Sequence, residues 1–200
     1  MLLFPIGLIL VFFYINVPIL GRTVDILPDA AGYLLIAVNA WKFREKSGSF
    51  SNLVYLNCIL AVYSTAVRLI MPTGIAGIAL SLLELILQLY VLKWIVDGLK
   101  DLEETVGAHL NTDILYRWRI LVSSAWAAVF VLTTASALAP GLVILGLAAA
   151  AAWAVLCVLF LVTLFRTGHR YKLLVRFGPP EPGRTGEDDD DGETGEDDDV

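Results

Sequence analysis

The sequence predicts an all-helical, polytopic transmembrane bundle of about six spans, followed by a disordered acidic tail. Three observations support this fold class. The 200 residues are 58% hydrophobic, whereas soluble domains are roughly 45–50% apolar. Residues 120–165 form a run of 46 residues without a charge. The acids are also segregated, because residues 181–200 hold eleven acids and one base, while residues 1–180 hold nine acids and thirteen bases.

The long uncharged run is too long for one membrane crossing. As a single helix it would extend about 69 Å, and the hydrocarbon core of a bilayer is about 30 Å thick. The tripeptide Ala139-Pro140-Gly141 supplies a turn, since proline lacks an N–H and glycine accepts turn geometry. The sequence therefore predicts two spans, near 118–139 and 141–165.

Four further spans are predicted upstream, within a transmembrane domain of residues 1–176. Spans near 53–71 and 74–96 are joined by a turn at residues 72–74, and the first two, near 4–20 and 28–41, are shorter. The N-terminus lacks a basic region and a cleavage site, so the first run is expected to stay in the mature chain. A second interpretation makes residues 4–41 a re-entrant hairpin that enters and leaves from the cytoplasm.

The basic residues indicate an orientation. Short cytoplasmic loops are enriched in Lys and Arg, and eleven basic residues fall on one side if the spans alternate. This places the chain in the cytoplasmic membrane with both termini inside the cell. The eleven are Lys42, Arg44, Lys46, Lys100, Arg117, Arg119, Arg166, Arg170, Lys172, Arg176 and Arg184.

Two non-spanning segments are distinctive. In residues 97–119, Leu99, Leu102, Val106 and Leu110 recur at helical spacing, which fits either an amphipathic helix on the membrane surface or a solvated connector. The tail, 177–200, repeats TGEDDD at 185–190 and 194–199 and is predicted to be disordered. It either attracts a basic partner or cations, or only solubilises the chain.

Arg68, Glu84 and Gln88 form a candidate intramembrane polar site. Glu84 lies about ten residues into the fourth predicted span, where a charge costs roughly 2.5–3.5 kcal/mol and usually faces a partner or cavity. Gln88 follows one turn later, and Arg68 on the third span is the nearest cation. The residues fit a structural polar clamp between these spans, or a proton- or cation-coupling site of a transporter.

The stretch VDILPDAAGY, residues 24–33, gives a candidate outer-loop binding site. It joins the first two hydrophobic segments, and we predict that Asp29 caps the helix that follows it. Asp25 is placed to pair with Arg22, and Gly32 leaves room for a neighbouring helix. This account needs no ligand, but the loop would also be available for recognition.

Other function classes find little support in the sequence. HExxH, GxGxxG and Walker motifs are absent, and Cys58 and Cys157 lie apart in apolar runs, so we predict no enzyme, cofactor, metal site or nucleic-acid partner. Gly146, Ala150 and Ala154 form a small-residue helix face. That face would pack on another span, on another membrane protein or on a second copy of the chain.

Residues 25–29 and 32–36, DILPD and GYLLI, carry a family resemblance. They resemble the signature of small multi-spanning membrane proteins of Gram-positive bacteria, in which DILPD-x-x-GY joins the first two hydrophobic segments. The resemblance implies the fold but no reaction. The chain departs from that pattern at Ala30-Ala31, where a bulkier apolar pair is usual, and in its acidic tail.

Two functions fit these observations. The leading hypothesis is a non-enzymatic membrane component that binds, senses or assists a partner through the outer loop. The alternative is a small solute or ion transporter that uses Glu84, Gln88 and Arg68.

Overall fold

A computed structural model of the chain describes residues 3–12, 16–19, 22–25, 29–70, 74–107, 109–136 and 139–177, with the backbone alone for the second and third ranges. These residues are almost entirely helical. The elements are helix α1 (Leu3–Phe12), strands β1 (Asn16–Ile19) and β2 (Arg22–Asp25), and helices α2 (Asp29–Trp41), α3 (Gly48–Ile70), α4 (Gly74–Val106), α5 (Thr112–Ser136) and α6 (Val143–Phe177), the last preceded by a 3₁₀ turn at Pro140–Leu142.

The first hydrophobic segment differs from the predicted span near 4–20. Helix α1 has only ten residues and ends at Phe12, and strands β1 and β2 pair antiparallel, with Asn16 opposite Asp25 and Ile19 opposite Arg22. Pro18 lies within β1 and disfavours a continuous helix, because proline has no N–H to donate. A helix of ten residues is about 15 Å long, half the thickness of the hydrocarbon core.

Helices α1 and α2 pack closely at a pair of glycines. A Cβ atom added to Gly32 would lie 2.7 Å from the Gly7 carbonyl oxygen, and one added to Gly7 would lie 2.8 Å from the Gly32 carbonyl oxygen. Only glycine permits such an approach of two backbones. The sequence predicted that Gly32 leaves space for a neighbouring helix, and that helix is α1.

Helix α4 is longer than the span near 74–96. It continues through Val106, and Leu99 and Leu102 are almost completely buried in the core. The prediction of a separate surface helix or connector at 97–119 is therefore wrong, because these leucines extend the packed face of α4. Asp101 also accepts hydrogen bonds from Ser47 and Ser49, which fixes the start of α3 against α4.

Four helices are long and apolar enough to cross a membrane: α3, α4, α5 and the segment Pro140–Arg176. Helices α5 and α6 form a hairpin, and much of their apolar surface is exposed, as at Val131 and Ile144. Such surface suits contact with lipid. A Cβ added to Gly146 meets no described atom within 4 Å, so the structure seats no helix closely at this glycine.

Candidate functional site

Polar side chains from α2, α3 and α4 meet in one group, which we call the polar cluster and define as Asp29, Tyr33, Arg68, Glu84 and Gln88. Asp29 and Tyr33 stand one turn apart on α2, and Glu84 and Gln88 stand one turn apart on α4. Residues at this spacing share a helix face. Two polar pairs therefore face the same region, and Arg68 reaches it from α3.

The direction of helical side chains brings the cluster together. Cα–Cβ bonds tilt toward the N-terminus of their helix. Arg68 lies near the C-terminal end of α3, so its side chain points back toward the middle of that helix. The side chain of Glu84 points toward the N-terminal end of α4. The two helices are joined by a short connection and run in opposite directions. Arg68 and Glu84 therefore approach each other, although their helical positions differ in height by about 10 Å.

The contacts form two linked sets. Arg68 Nη2 donates to Asp29 Oδ2, which makes an ion pair between α3 and α2. Gln88 Nε2 donates to the Tyr33 hydroxyl at 2.6 Å, and its distance to Glu84 Oε1 is 3.5 Å. Tyr33 is fully buried, and a buried hydroxyl needs such a partner. These contacts hold α2 against both α3 and α4.

The cluster has more acidic than basic side chains. It contains two carboxylates, Asp29 and Glu84, and one guanidinium, that of Arg68, whose charge also acts on Glu84. Asp29 is 8% exposed, and its Oδ1 atom has no hydrogen-bond partner among the described residues. The arrangement can therefore accept one further hydrogen-bond donor, proton or cation at Asp29.

The structure joins the two sites that the sequence kept apart. Asp29, assigned to the outer loop, contacts Arg68, assigned to the intramembrane site. The prediction that Asp29 caps α2 is wrong, because its carboxylate does not accept the backbone N–H groups of that helix. Oδ2 accepts from Arg68, and Oδ1 has no hydrogen-bond partner among the described residues. The side chains of Arg22 and Asp25 lie outside the described residues, and so does their predicted pairing.

Tyr33 was not recognised from the sequence as part of a site. A signal was present, since Tyr33 follows Asp29 by one turn and its hydroxyl needs a partner when buried. The predicted clamp between the third and fourth spans lacked this residue. The structure gives α2 two contacts in the cluster, through Asp29 and Tyr33.

The polar cluster ends at Gln88. Beyond it, the three helices pack through wholly or almost wholly buried apolar side chains that include Ile36, Leu53, Leu92 and Ile95. Asn57 is also buried there, but its Nδ2 donates to the Leu53 carbonyl of its own helix at 2.8 Å. Asn57 Oδ1 and Asn39 Nδ2 are buried without a hydrogen-bond partner among the described residues, so the packing beyond the cluster is mainly but not wholly apolar.

A second polar group joins α4 to α5 at the opposite end. Glu103, in the charged last turn of α4 beyond its apolar part, accepts hydrogen bonds from Leu110 N at 3.0 Å, Thr112 N at 3.3 Å and Thr112 Oγ1. Burial acts to raise the pKa of Glu103, but these hydrogen bonds and that of His109 outweigh it and hold the pKa below its usual value. Glu103 thus bonds the free N-terminal groups of α5.

The described residues contain no group of three His, Cys, Asp or Glu side chains that could hold a metal ion. In comparisons with family models, curated proteins and solved structures, none matches this chain.

Proposed function

We propose that this chain is a non-enzymatic component of the cytoplasmic membrane that binds or senses a partner or ligand through the outer loop around residues 22–29. In this proposal it crosses the membrane six times, with both termini in the cytoplasm. The family with the DILPD-x-x-GY signature is proposed as its relative, and a bacterial origin is part of that proposal. For the acidic tail we propose a basic partner or cations.

One observation supports the binding function more than any other. Asp29, the last residue of DILPD, is ion-paired to Arg68 and belongs to the same cluster as Tyr33, Glu84 and Gln88. A partner that binds the loop would act on the contacts that hold α2, α3 and α4 together. A ligand can shift a conformational equilibrium only through contacts that differ between the states, and in this proposal the Asp29–Arg68 pair is the contact that changes.

The binding function can be tested by site-specific cross-linking in intact cells. A photoreactive amino acid at Thr23, in the loop, is expected to give a discrete adduct that Asp25→Asn abolishes, because the substitution removes a charge from the proposed recognition loop. The same group at Thr105, at the other end of α4, is the control and should not give this adduct. Absence of the Thr23 adduct would contradict the proposal.

Solute or ion transport is the second candidate, and it is favoured by the two carboxylates that share Arg68. The unpartnered Asp29 Oδ1 atom gives a proton or cation a place to bind. Against this function stand the apolar contacts beyond Gln88. Liposomes with the reconstituted protein are expected to show no proton or cation flux above protein-free liposomes. Flux in wild type that is lost in Glu84→Gln would instead support the transporter.

A further inference from the structure

The basic end of the bundle contains a cleft between α1, α2 and α6. It has a volume of about 450 Å³, and its lining includes Asn39, Lys42, Phe43, Tyr171, Lys172 and Arg176. Clefts of roughly 300–1,000 Å³ are the size in which proteins bind small molecules. This cleft lies at the opposite end of α2 from Asp29, so it is separate from the polar cluster.

The cleft presents positive charge and a buried amide. Lys42, Lys172 and Arg176 are exposed at its rim, and no Asp or Glu of the described residues lines it. Asn39 is 1% exposed, and its Nδ2 atom has no hydrogen-bond partner among the described residues. A buried amide donor without a partner destabilises the fold, and a bound acceptor would remove that cost.

The last carbonyl groups of α2 at this end are already used. Ala40 O accepts from Phe43 N at 2.9 Å, and Trp41 O accepts from Arg44 N at 3.4 Å. The amide of Asn39 and the ammonium groups of Lys42 and Lys172 therefore make donors the main polar feature of the cleft. An anionic acceptor fits this set, and phosphate pairs well with both Lys and Arg.

The position of the cleft favours a lipid phosphate. On α6, Gly168 and Lys172 follow Phe165, the last residue of the uncharged run 120–165, by about 5 and 10 Å of helical rise, and the headgroup layer begins where the hydrocarbon core ends. Leu3, Phe43 and Val175 give the same cleft apolar walls. Basic pockets between transmembrane helices are a recurrent form of headgroup site.

We propose that this cleft binds the phosphate headgroup of an anionic phospholipid, with Asn39 as the buried donor and Lys42 and Lys172 as the cations. The lipid tail lies along the apolar wall, and the headgroup joins α2 to α6. The proposal is independent of the function assigned to the outer loop.

The test is native mass spectrometry of the full chain in detergent, titrated with dioleoyl phosphatidylglycerol or with zwitterionic dioleoyl phosphatidylcholine. We expect the wild type to bind phosphatidylglycerol at least ten-fold more tightly. Lys42→Gln with Lys172→Gln should weaken that binding by about five-fold for each lysine. Asn39→Leu should weaken it as well, and thermal unfolding checks that this variant is folded.

The matched control is Lys93→Gln with Lys100→Gln, which removes two exposed lysines from α4 and should leave the affinity within two-fold. Equal binding of the two lipids, or an equal loss in the control, would overturn the proposal. A third arm uses inorganic phosphate alone. If phosphate displaces the lipid at equal concentration, the cleft is a free-anion site and the lipid assignment is wrong.

Discussion

Asp29, Arg68 and Glu84 show how single charged residues are accommodated among apolar helices. Each lies where an isolated charge would be costly, and the structure places the three together at the meeting point of α2, α3 and α4. The side chain of Asp29 is 11% exposed and that of Arg68 is 33% exposed, so solvent weakens this pair less than it weakens a surface pair. The ion pair is therefore expected to stabilise the fold measurably.

A double-mutant cycle on Asp29 and Arg68 measures how much their ion pair stabilises the fold. Asp29→Asn is expected to lower the free energy of unfolding by about 1–3 kcal/mol, because it removes the charged acceptor of Arg68. Arg68→Gln should act similarly, and the double variant should lose less than the sum, by about 1 kcal/mol. Reversible unfolding in mixed detergent micelles measures these values.

The control for this cycle is Asp113→Asn. Asp113 is also an aspartate in the first turn of a helix, but it is exposed, so its loss should change stability by no more than about 0.5 kcal/mol. The Asp29–Arg68 pair does not stabilise the protein if Asp29→Asn lowers the free energy of unfolding no more than Asp113→Asn does. The same conclusion follows if the effects of the two single substitutions simply add in the double variant.

Two pairs of neighbouring helices are held together in different ways. Helices α1 and α2 approach through glycine backbones at Gly7 and Gly32, so their contact is governed by shape. Helices α4 and α5 are joined by hydrogen bonds to Glu103, and their short connection contains Gly107 and Asn111 with φ values of 66° and 61°. Glycine and asparagine are the residues that adopt this left-handed conformation most readily.

Substitution of Gly32 tests the close approach of α1 and α2. Gly32→Ala should lower the free energy of unfolding by about 1–3 kcal/mol, because its Cβ atom would meet the Gly7 backbone and force the helices apart. Gly146→Ala gains the same helix propensity but meets no described atom within 4 Å. It should be neutral or stabilising. Equal effects of the two variants would show that α1 and α2 are not tightly packed.

Glu103 gives a pH-dependent prediction for the α4–α5 connection. The folded pKa lies below the unfolded value of about 4.3, so the stabilisation is fully present above that value and is lost as the pH falls through the folded pKa. Glu103→Gln should lower stability by about 1 kcal/mol at pH 7. The difference from wild type should shrink between pH 5 and pH 3, as followed by thermal unfolding.

Glu104→Gln is the control for this measurement. Glu104 is the exposed neighbour of Glu103, and its loss should change stability little at any of these pH values. If the difference in stability between wild type and Glu103→Gln stays constant down to pH 3, ionised Glu103 does not provide the stabilisation.

At the scale of the whole molecule, the first hairpin decides the topology. Helices α1 and α2 have 10 and 13 residues, fewer than the roughly 20 that a perpendicular helix needs to cross. The strands β1 and β2 add length between them. A six-pass protein has this β-hairpin on the outside, whereas a re-entrant hairpin has it within the membrane.

Cysteine labelling distinguishes the two topologies. In a background with Cys58→Ala and Cys157→Ala, Asp25→Cys should react with an impermeant reagent on intact cells, because the six-pass arrangement exposes this position outside. Glu45→Cys, in the turn after α2, should react only after the membrane is opened. If Asp25→Cys also requires opened membranes, the re-entrant arrangement is correct and the outer-loop function fails with it.

The sequence alone determined the composition, the apolar segments and their hinges. Long uncharged runs and turn residues depend on local chemistry, so α3 and α5 were predicted near their observed positions. The start of α6 was predicted as well, but the helix continues to Phe177, beyond the predicted end at 165. The charged and polar residues at Arg68, Glu84 and Gln88 were recognisable for the same reason, since each stands out against an apolar background.

Which of these residues meet depends on the packing of the helices and could not be read from the sequence. The ion pair between Asp29 and Arg68 spans 39 positions of the chain, and the hydrogen bond between Gln88 and Tyr33 spans 55; such contacts depend on how helices are placed, which no local pattern specifies. The extension of α4 to Val106 likewise required the burial of Leu99 and Leu102 against other helices. The sequence indicated which groups needed partners, and the packing of three helices selected the partners.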